Sequence, residues 1–338
     1  MIDINKKRLE EILEGIRGKR IAVLGDLMLD RYIWGSVTRI SPEAPVPIVD
    51  MESEQARLGG AANVAMNIRS LGGEPFLIGV TGSDNSGKNL RDMIAESGFI
   101  TDGIVIDPSR PTTVKTRLIA NNQHVVRIDR ESRADISAEI QEKIFTVLKT
   151  YISSLDGIII EDYNKGVVVN QLIGRIIKFL RIKKKIIAVD PKFHNFFDYK
   201  NVTVFKPNRK EAEEALGRKL ATVKDIEKAG KQIRKKLNAE YVLLTRGELG
   251  MSLFGSGGKI YHTPTKAQNV ADVSGAGDTV IATLTLAMAG GANMREAAAL
   301  ANFAGGVVCG YVGIVPINAV KLTDAVLADG TNNTTVTA

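Results

Sequence analysis

The sequence predicts an α/β protein, a mostly parallel sheet flanked by helices, with a small β layer attached as a lid. Three observations carry this. Short β-branched runs alternate with helical patterns, as in successive βαβ units. Residues 31–52 and 112–129 break that rhythm and alternate apolar with polar positions, as antiparallel half-buried strands do. The chain has 338 residues, 44% hydrophobic and 25% charged, enough to bury the core of one large α/β unit.

Taken in order, strands are expected over 20–24, 75–80, 157–160, 185–189, 202–205 and 241–245. Helices are expected over 61–70, 86–96, 137–153, 171–181, 209–216, 223–237, 276–289 and 294–308, where apolar residues recur at three- and four-residue spacing. In the first β segment Pro42, Pro45 and Pro47 suit an edge or a bend, because proline cannot donate to a central ladder. Residues 1–328 form one expected unit and 329–338 a polar, frayed tail. No repeat of 20–50 residues is visible.

The net charge of +7 is dispersed. Its denser clusters, around Lys183–Lys185 and Arg234–Lys236, fall near predicted helix ends, where cations favour the dipole. Aromatics make up 5% and do not interleave with basic runs, so no nucleic-acid surface is expected. Cys309 is the only cysteine, which rules out an intrachain disulfide and fits a reducing, cytoplasmic compartment. The first 20 residues lack an apolar signal core. Residues 297–320 carry no charge, but Asn302, Gly305, Gly306, Gly310, Gly313, Pro316 and Asn318 interrupt them, so a buried helix followed by a loop is expected and no membrane span. His124, His194 and His262 show no metal-ligand spacing.

The segment ADVSGAGDTV, 271–280, is the most informative stretch. A turn of small residues opens into an apolar helix, leaving the N–H groups of Gly275, Ala276 and Gly277 to make an anion site with the helix dipole. Asp278 sits in that first turn, placed to take a proton from an attacking hydroxyl while the hole stabilises a transferred phosphoryl group. The bland alternative is a capped glycine turn with Asp278 merely favourable to the dipole. Residues 82–89, GSDNSGKN, nearly match a P-loop, but Asn89 replaces the hydroxyl that would hold Mg²⁺, and the segment reads as a turn.

Other polar residues fall at the same edge of the expected sheet. Asp26 ends the first strand and Asp30 follows; each suits hydrogen bonds from substrate hydroxyls, or a turn or cap. Gly59 and Gly60 open a helix where backbone can approach a ligand, and Asn63 can bond sugar hydroxyls. Asn208 and Glu211 form either a capping box or, through water, outer ligands of a phosphate-bound Mg²⁺. Asp190 and Thr245 also lie at strand ends.

In chain order, GG-x-x-x-N, N-x-x-E and D-x-x-GAGD resemble the PfkB/ribokinase family of sugar kinases over nearly the whole chain. GDLMLDRYIWGSVTRISPEAPVPIV, GGAANVAMNIRSLGG, DYNKG, DPK, TRGELGMSL and DVSGAGDTVIA are similar to the heptose 7-phosphate kinase branch of that family. The resemblance implies a ribokinase-like fold and ATP-dependent phosphorylation of the anomeric hydroxyl of D-glycero-β-D-manno-heptose 7-phosphate, with Mg²⁺. It implies Asp278 as base, Gly275, Ala276 and Gly277 as anion hole, and Asn208, Arg209, Lys210 and Glu211 as the Mg²⁺–nucleotide motif. It further implies Thr245, Gly247 and Asn302 on the nucleotide side, and Asp26, Gly59, Gly60 and Asn63 on the sugar. Val280 stands where many sugar kinases have Phe, and GYVGIVPIN is shorter than the usual glycine-threonine-rich loop. The substrate phosphate needs cations; Arg31, Arg39, Arg117, Arg127 and Lys165 are candidates that sequence does not rank. Another sugar or phosphosugar kinase, and a non-catalytic nucleotide- or sugar-binding regulator, are the alternatives. A homodimer through the β lid is expected.

Overall fold

Side chains along a strand alternate between the two faces of a sheet, and here each face has its own core. On the first long strand, Ile21 and Val23 join one cluster while Ala22 and Leu24 join the other. The computed structural model describes residues 4–332 apart from 122, 268 and 269. In chain order it contains α1 (Lys6–Ile16), β1 (Arg20–Gly25), β2 (Leu27–Ile40), β3 (Pro47–Gly60), α2 (Ala61–Ser70), β4 (Glu74–Thr81), α3 (Asn85–Glu96), β5 (Ile104–Ile106), β6 (Thr113–Ala120) and β7 (Gln123–Arg130). It continues with α4 (Ala138–Tyr151), β8 (Gly157–Glu161), α5 (Asn170–Ile182), β9 (Ile186–Asp190), β10 (Val204–Phe205), α6 (Arg209–Leu216) and α7 (Val223–Leu237). It closes with β11 (Tyr241–Thr245), β12 (Met251–Phe254), β13 (Ile260–Thr263), α8 (Ala276–Ala289), α9 (Met294–Val308) and α10 (Ala319–Asn332).

Nine strands form the main sheet in the order β13-β12-β11-β10-β9-β8-β1-β4-β5. It is parallel except at β11–β12 and β12–β13. Helices α1, α2, α8 and α9 pack on one face through Leu9, Ile12, Ile68, Ile281 and Leu300. Helices α4, α5 and α7 cover the other through Ile144, Leu148, Ile176 and Ile233. Each such side chain contributes about 1.5–3 kcal/mol when fully buried. Among the described residues no helix is long and apolar enough to cross a membrane.

A second sheet of four strands, ordered β3-β2-β6-β7, is the expected β layer. It differs from expectation in two ways. Its strands reach further, so that β2 begins one residue after Asp26 and β3 runs on to Gly60. Its central pair, β2–β6, is parallel and not antiparallel. Period-two alternation reports that a strand is half-buried but carries no information on its partner's direction. Pro47 opens β3, an edge strand, as proline's missing donor requires. The end of the chain also needs correction. Helix α10 continues through Asn332, and Asp329 is tied to Lys266 Nζ at 2.6 Å, so the expected tail does not begin at 329; residues 333–338 lie outside the described residues.

Helix α8 passes through the middle of the fold, with every residue from Asp278 to Ala287 buried. Its register against α2 is set by Asn67, which is fully buried. Asn67 Oδ1 accepts from Thr279 Oγ1 at 2.9 Å and from the Ile317 N–H at 3.1 Å, while its Nδ2 donates to Asn63 O at 2.9 Å. Asn67→Ala leaves a buried hydroxyl and a buried N–H without acceptors, and should lower stability by about 2–4 kcal/mol in urea unfolding. A loss below about 0.5 kcal/mol, the range of an ordinary surface change, would show that this network does not set the packing.

Candidate active site

Parallel pairing brings the carboxyl ends of the strands to one edge, where α/β folds bind ligands. Gly25 of β1, Glu161 of β8 and Asp190 of β9 stand abreast in register. Lys206 directly follows β10, and Thr245 closes β11. The N-terminus of α8 faces this edge. Gly275 caps it with φ of 76° and no side-chain cap, a backbone state that glycine adopts without strain. A Cβ there would lie 3.0 Å from Asn63 Nδ2. The Ala276 N–H reaches Val273 O at 3.3 Å, so of the expected anion hole Ala276 is partly engaged, while the N–H groups of Gly275 and Gly277 have no acceptor among the described residues, at the positive end of the dipole.

Asp278 lies in the first turn, 5% exposed. Its Oδ2 accepts from Asn63 Nδ2 at 2.6 Å and its Oδ1 from the Tyr163 hydroxyl at 2.8 Å. Burial pushes its carboxyl up to about 6; the two donors pull it down, and the charge of Asp190 adds to the rise. Tyr163 is itself pushed well above the usual tyrosine range, first by burial and then by the charge of Asp278, so it stays a donor. Lys206 Nζ pairs with Asp190 Oδ2 at 2.8 Å beside Gly277. Burial opposes its charge, but Asp190 and Glu211 hold its ammonium above the ordinary lysine range.

The expected site residues divide into several groups. Asn63 meets Asp278, as described. Asp26 does not face open space: it is 1% exposed, and its carboxylate accepts the N–H groups of Tyr163 at 2.7 Å, Lys165 at 3.2 Å and Val167 at 3.3 Å. It holds the loop that carries Tyr163, and burial followed by the charge of Asp162 pushes its carboxyl up to about 6. Asp30 is buried and ion-paired with Arg117. Gly59 and Gly60 are not a free turn but the last residues of β3, paired with Met28 and Leu27; a Cβ on Gly59 would come 2.0 Å from Asp30 Oδ2.

Asn208 and Glu211 form the capping box of α6, and Glu211 Oε1 also takes Lys192 Nζ at 2.6 Å. Arg209 and Lys210 turn to Glu213 and Glu214 on α6 and do not line the nucleotide-side cavity. Thr245, Gly247 and Asn302 do come together there, with Ala276, Gly277 and Val280, around about 340 Å³ of mainly apolar space. Arg127 is exposed and pairs with Asp129 at 3.0 Å, and Lys165 pairs with Glu131 at 2.6 Å, so neither is brought to Asp278. The near-P-loop is a helix start: Asp84 caps α3 and Lys88 pairs with Asp92.

Sequence reasoning passed over Tyr163 and Glu161, and over Lys206 as the partner of Asp190. For Tyr163 and Glu161 the signal was the polar run EDYNKG directly after the apolar strand GIII, at the carboxyl end where ligands bind.

The family model "pfkB family carbohydrate kinase" matches residues 19–318. The chain is 41% identical over 94% of its length to the bifunctional protein HldE of Geobacter sulfurreducens, and 42% identical over 90% to that of Paramagnetospirillum magneticum. It spans 65% and 62% of those relatives, less than two thirds of their length. Arabidopsis thaliana ribokinase, solved with ribose and ATP, shares the fold with a TM-score of 0.72 at 18% identity, over 91% of this chain and 99% of that one. The motifs, the fold and the matched span agree: the chain belongs to the pfkB family of carbohydrate kinases.

Proposed function

We propose that the chain transfers the γ-phosphoryl group of ATP to the anomeric hydroxyl of D-glycero-β-D-manno-heptose 7-phosphate, giving the 1,7-bisphosphate. The observation that carries the chemistry is the Asp278 carboxylate, held by Asn63 and Tyr163 at the open end of α8. The heptose acceptor is supported by the motif resemblance and by the HldE relatives. In this reading Asp278 takes the proton of the acceptor hydroxyl. The N–H groups of Gly275 and Gly277, with the Lys206 ammonium, receive charge on the transferred phosphoryl. Adenine occupies the cavity of Thr245, Gly247 and Asn302. Mg²⁺ accompanying the nucleotide would neutralise its phosphates. Among the described residues, oxygens of Asp190 and Glu161 lie within 4.8 Å of one another and would meet that ion, Asp190 being shared with Lys206.

The acceptor phosphate is assigned to a cavity of about 590 Å³ between the β layer and residues 271–274. Arg31 and Lys165 are neutralised by Glu54 and Glu131, and Arg127 by Asp129. Arg57 and Arg117 both reach this cavity, at 5.0 and 5.1 Å from the Tyr32 ring. Arg57 donates to Gln55 and Ile314 O and, among the described residues, has no carboxylate within ion-pair distance. It is the better-placed anchor for a phosphate. The four-stranded sheet acts as the lid, and a second copy covers it. Every residue of edge strand β7 is exposed, the apolar Val125, Val126 and Ile128 among them, and an unpaired exposed edge can take a partner strand.

Asp278→Asn should keep the fold and ATP binding and lower kcat by about 10²–10⁴-fold; a variant within a few fold of wild type would remove Asp278 from the mechanism. The base works only when ionised, so activity is full above its pKa and lost as the pH falls through about 6. Tyr163→Phe deletes a donor to the carboxylate and should move that acid limb upward; an unmoved limb would exclude Asp278 as the titrating group. Arg57→Ala should reduce kcat/KM for heptose 7-phosphate far more than for free heptose, by about 10-fold or more given that charged hydrogen bonds contribute 1.5–3 kcal/mol. Equal losses on both sugars would place the anchor elsewhere. Ile128→Lys should convert the dimer to monomer in analytical ultracentrifugation, and a wild-type monomer would exclude the lid interface.

A further inference from the structure

The segment 264–267, just after β13, runs between two cavities. Thr265 and Ala267 line the cavity of about 340 Å³ assigned to adenine. Lys266, between them in sequence, lines instead a second cavity of about 220 Å³, with Tyr261, Arg295 and Asp329. Met251 of β12 and Asn302 of α9 border both, so the two spaces are neighbours. The segment is thus a partition with space on each side. A gap beside a chain forfeits the dispersion contacts that would otherwise hold it.

The partition is held at points. A Cβ on Gly250 would come 2.6 Å from Thr265 N, and one on Gly306 2.6 Å from the Lys266 carbonyl carbon, so two glycines let the backbone lie close at these places. Asn302 Nδ2 donates to Pro264 O at 2.7 Å. Lys266 Nζ donates to both carboxylate oxygens of Asp329, at 2.6 and 2.7 Å, and stands 5.0 Å from the Phe303 ring centre. The two side chains are 14% and 34% exposed, so solvent and salt screen this pair less than a surface one. Asp329 lies 63 positions further along the chain, on α10. That helix is fixed to α9 through Leu322 and Val326, which share a core with Leu300 and Ala304. Lys266 and Asp329 are both outside the lining of the adenine cavity.

We propose that Asp329, acting through Lys266, is a positioning residue for the nucleotide: it holds 264–267 at the distance from α9 that an adenine ring fills. This rests on the reading of the larger cavity as the adenine site. Without the tie the segment is free to move toward either cavity, and ATP binding must supply the cost of ordering it. The cavity assigned to the acceptor phosphate shares none of these residues, so the effect is confined to ATP.

The test measures ATP binding to the full chain by isothermal titration calorimetry, with Mg²⁺ and without sugar. Asp329→Ala and Lys266→Met should each weaken binding by about 10-fold, the size of a lost charged hydrogen bond. The double variant should lose no more than either single one, because both remove the same interaction. Asp329→Glu should recover most of the loss. In turnover, the KM for ATP should rise by the same factor, with kcat and the KM for heptose 7-phosphate unchanged. A pair that served only the stability of the fold would lower the melting temperature and leave the KM for ATP in place. Asp329→Ala binding ATP as tightly as wild type overturns the proposal, as do additive losses in the double variant or an equal rise in the KM of the acceptor. If Asp329→Ala loses helix by far-ultraviolet circular dichroism, Lys266→Met decides by the same readouts. A wild-type chain that binds no ATP overturns the adenine reading as well, whereas ATP binding that ignores both variants overturns the tie alone.

Discussion

A carboxylate buried at the open end of α8 is the constraint from which the arrangement of the site follows. Burial alone would leave Asp278 neutral, and a neutral acid takes no proton. Two donors and the Lys206 ammonium offset part of that cost and leave its carboxyl at about 6, ionised at neutral pH. Each donor needs its own support. Asn63 sits on α2, whose register against α8 is held by Asn67. Tyr163 sits on the loop after β8, whose backbone is held by Asp26. Asp26, expected to meet the sugar itself, holds the backbone of the loop that carries Tyr163.

The strand ends explain why acids and cations lie so close here. Register places Gly25, Glu161 and Asp190 side by side, so carboxylates on neighbouring strands converge whether or not they repel. Lys192 and Lys206 offset part of that repulsion from the next strands along. Gly277 borders both the Lys206–Asp190 pair and the mainly apolar cavity of Thr245, Gly247 and Asn302.

Much of this was legible in the sequence where a local rule decides the outcome. The bounds of α2, α6, α7, α8 and α9 follow from apolar spacing and caps, and they agree to the residue with expectation. Helix α1 was missed although Leu9, Ile12 and Ile16 make one apolar stripe, because its charged surface diluted the pattern. Strand β5 has only three residues, and β12 and β13 four each, too short for alternation to register. The parallel β2–β6 pair was illegible for a different reason, since pairing direction is a property of topology. Asp278 and Asn63 could be named from their turns, but Glu161 and Tyr163 acquire their roles only when separate strand ends are brought together. Within the same motif, Asn208 and Glu211 close the capping box of α6 while Arg209 and Lys210 pair along the helix with Glu213 and Glu214.

The attachment of the β layer ties acceptor choice to the chemistry. Strand β2 starts directly after Asp26, and β3 runs without a break into α2, which carries Asn63. Both roots of this long hairpin therefore lie at residues that support Asp278. Arg117 and Arg57, on β6 and β3, face the same cavity across Tyr32. Arg57 stands on the strand that runs without a break into α2 and Asn63, and Arg117 on β6, which pairs with β2. Small displacements at a lid would ordinarily dissipate in a loop. Here Gly59 and Gly60 are paired with Met28 and Leu27 within the ladder, which transmits displacement as a packed element does. In the proposed reaction, binding energy at the far end of the acceptor would be available to align its hydroxyl with Asp278 through this packed ladder.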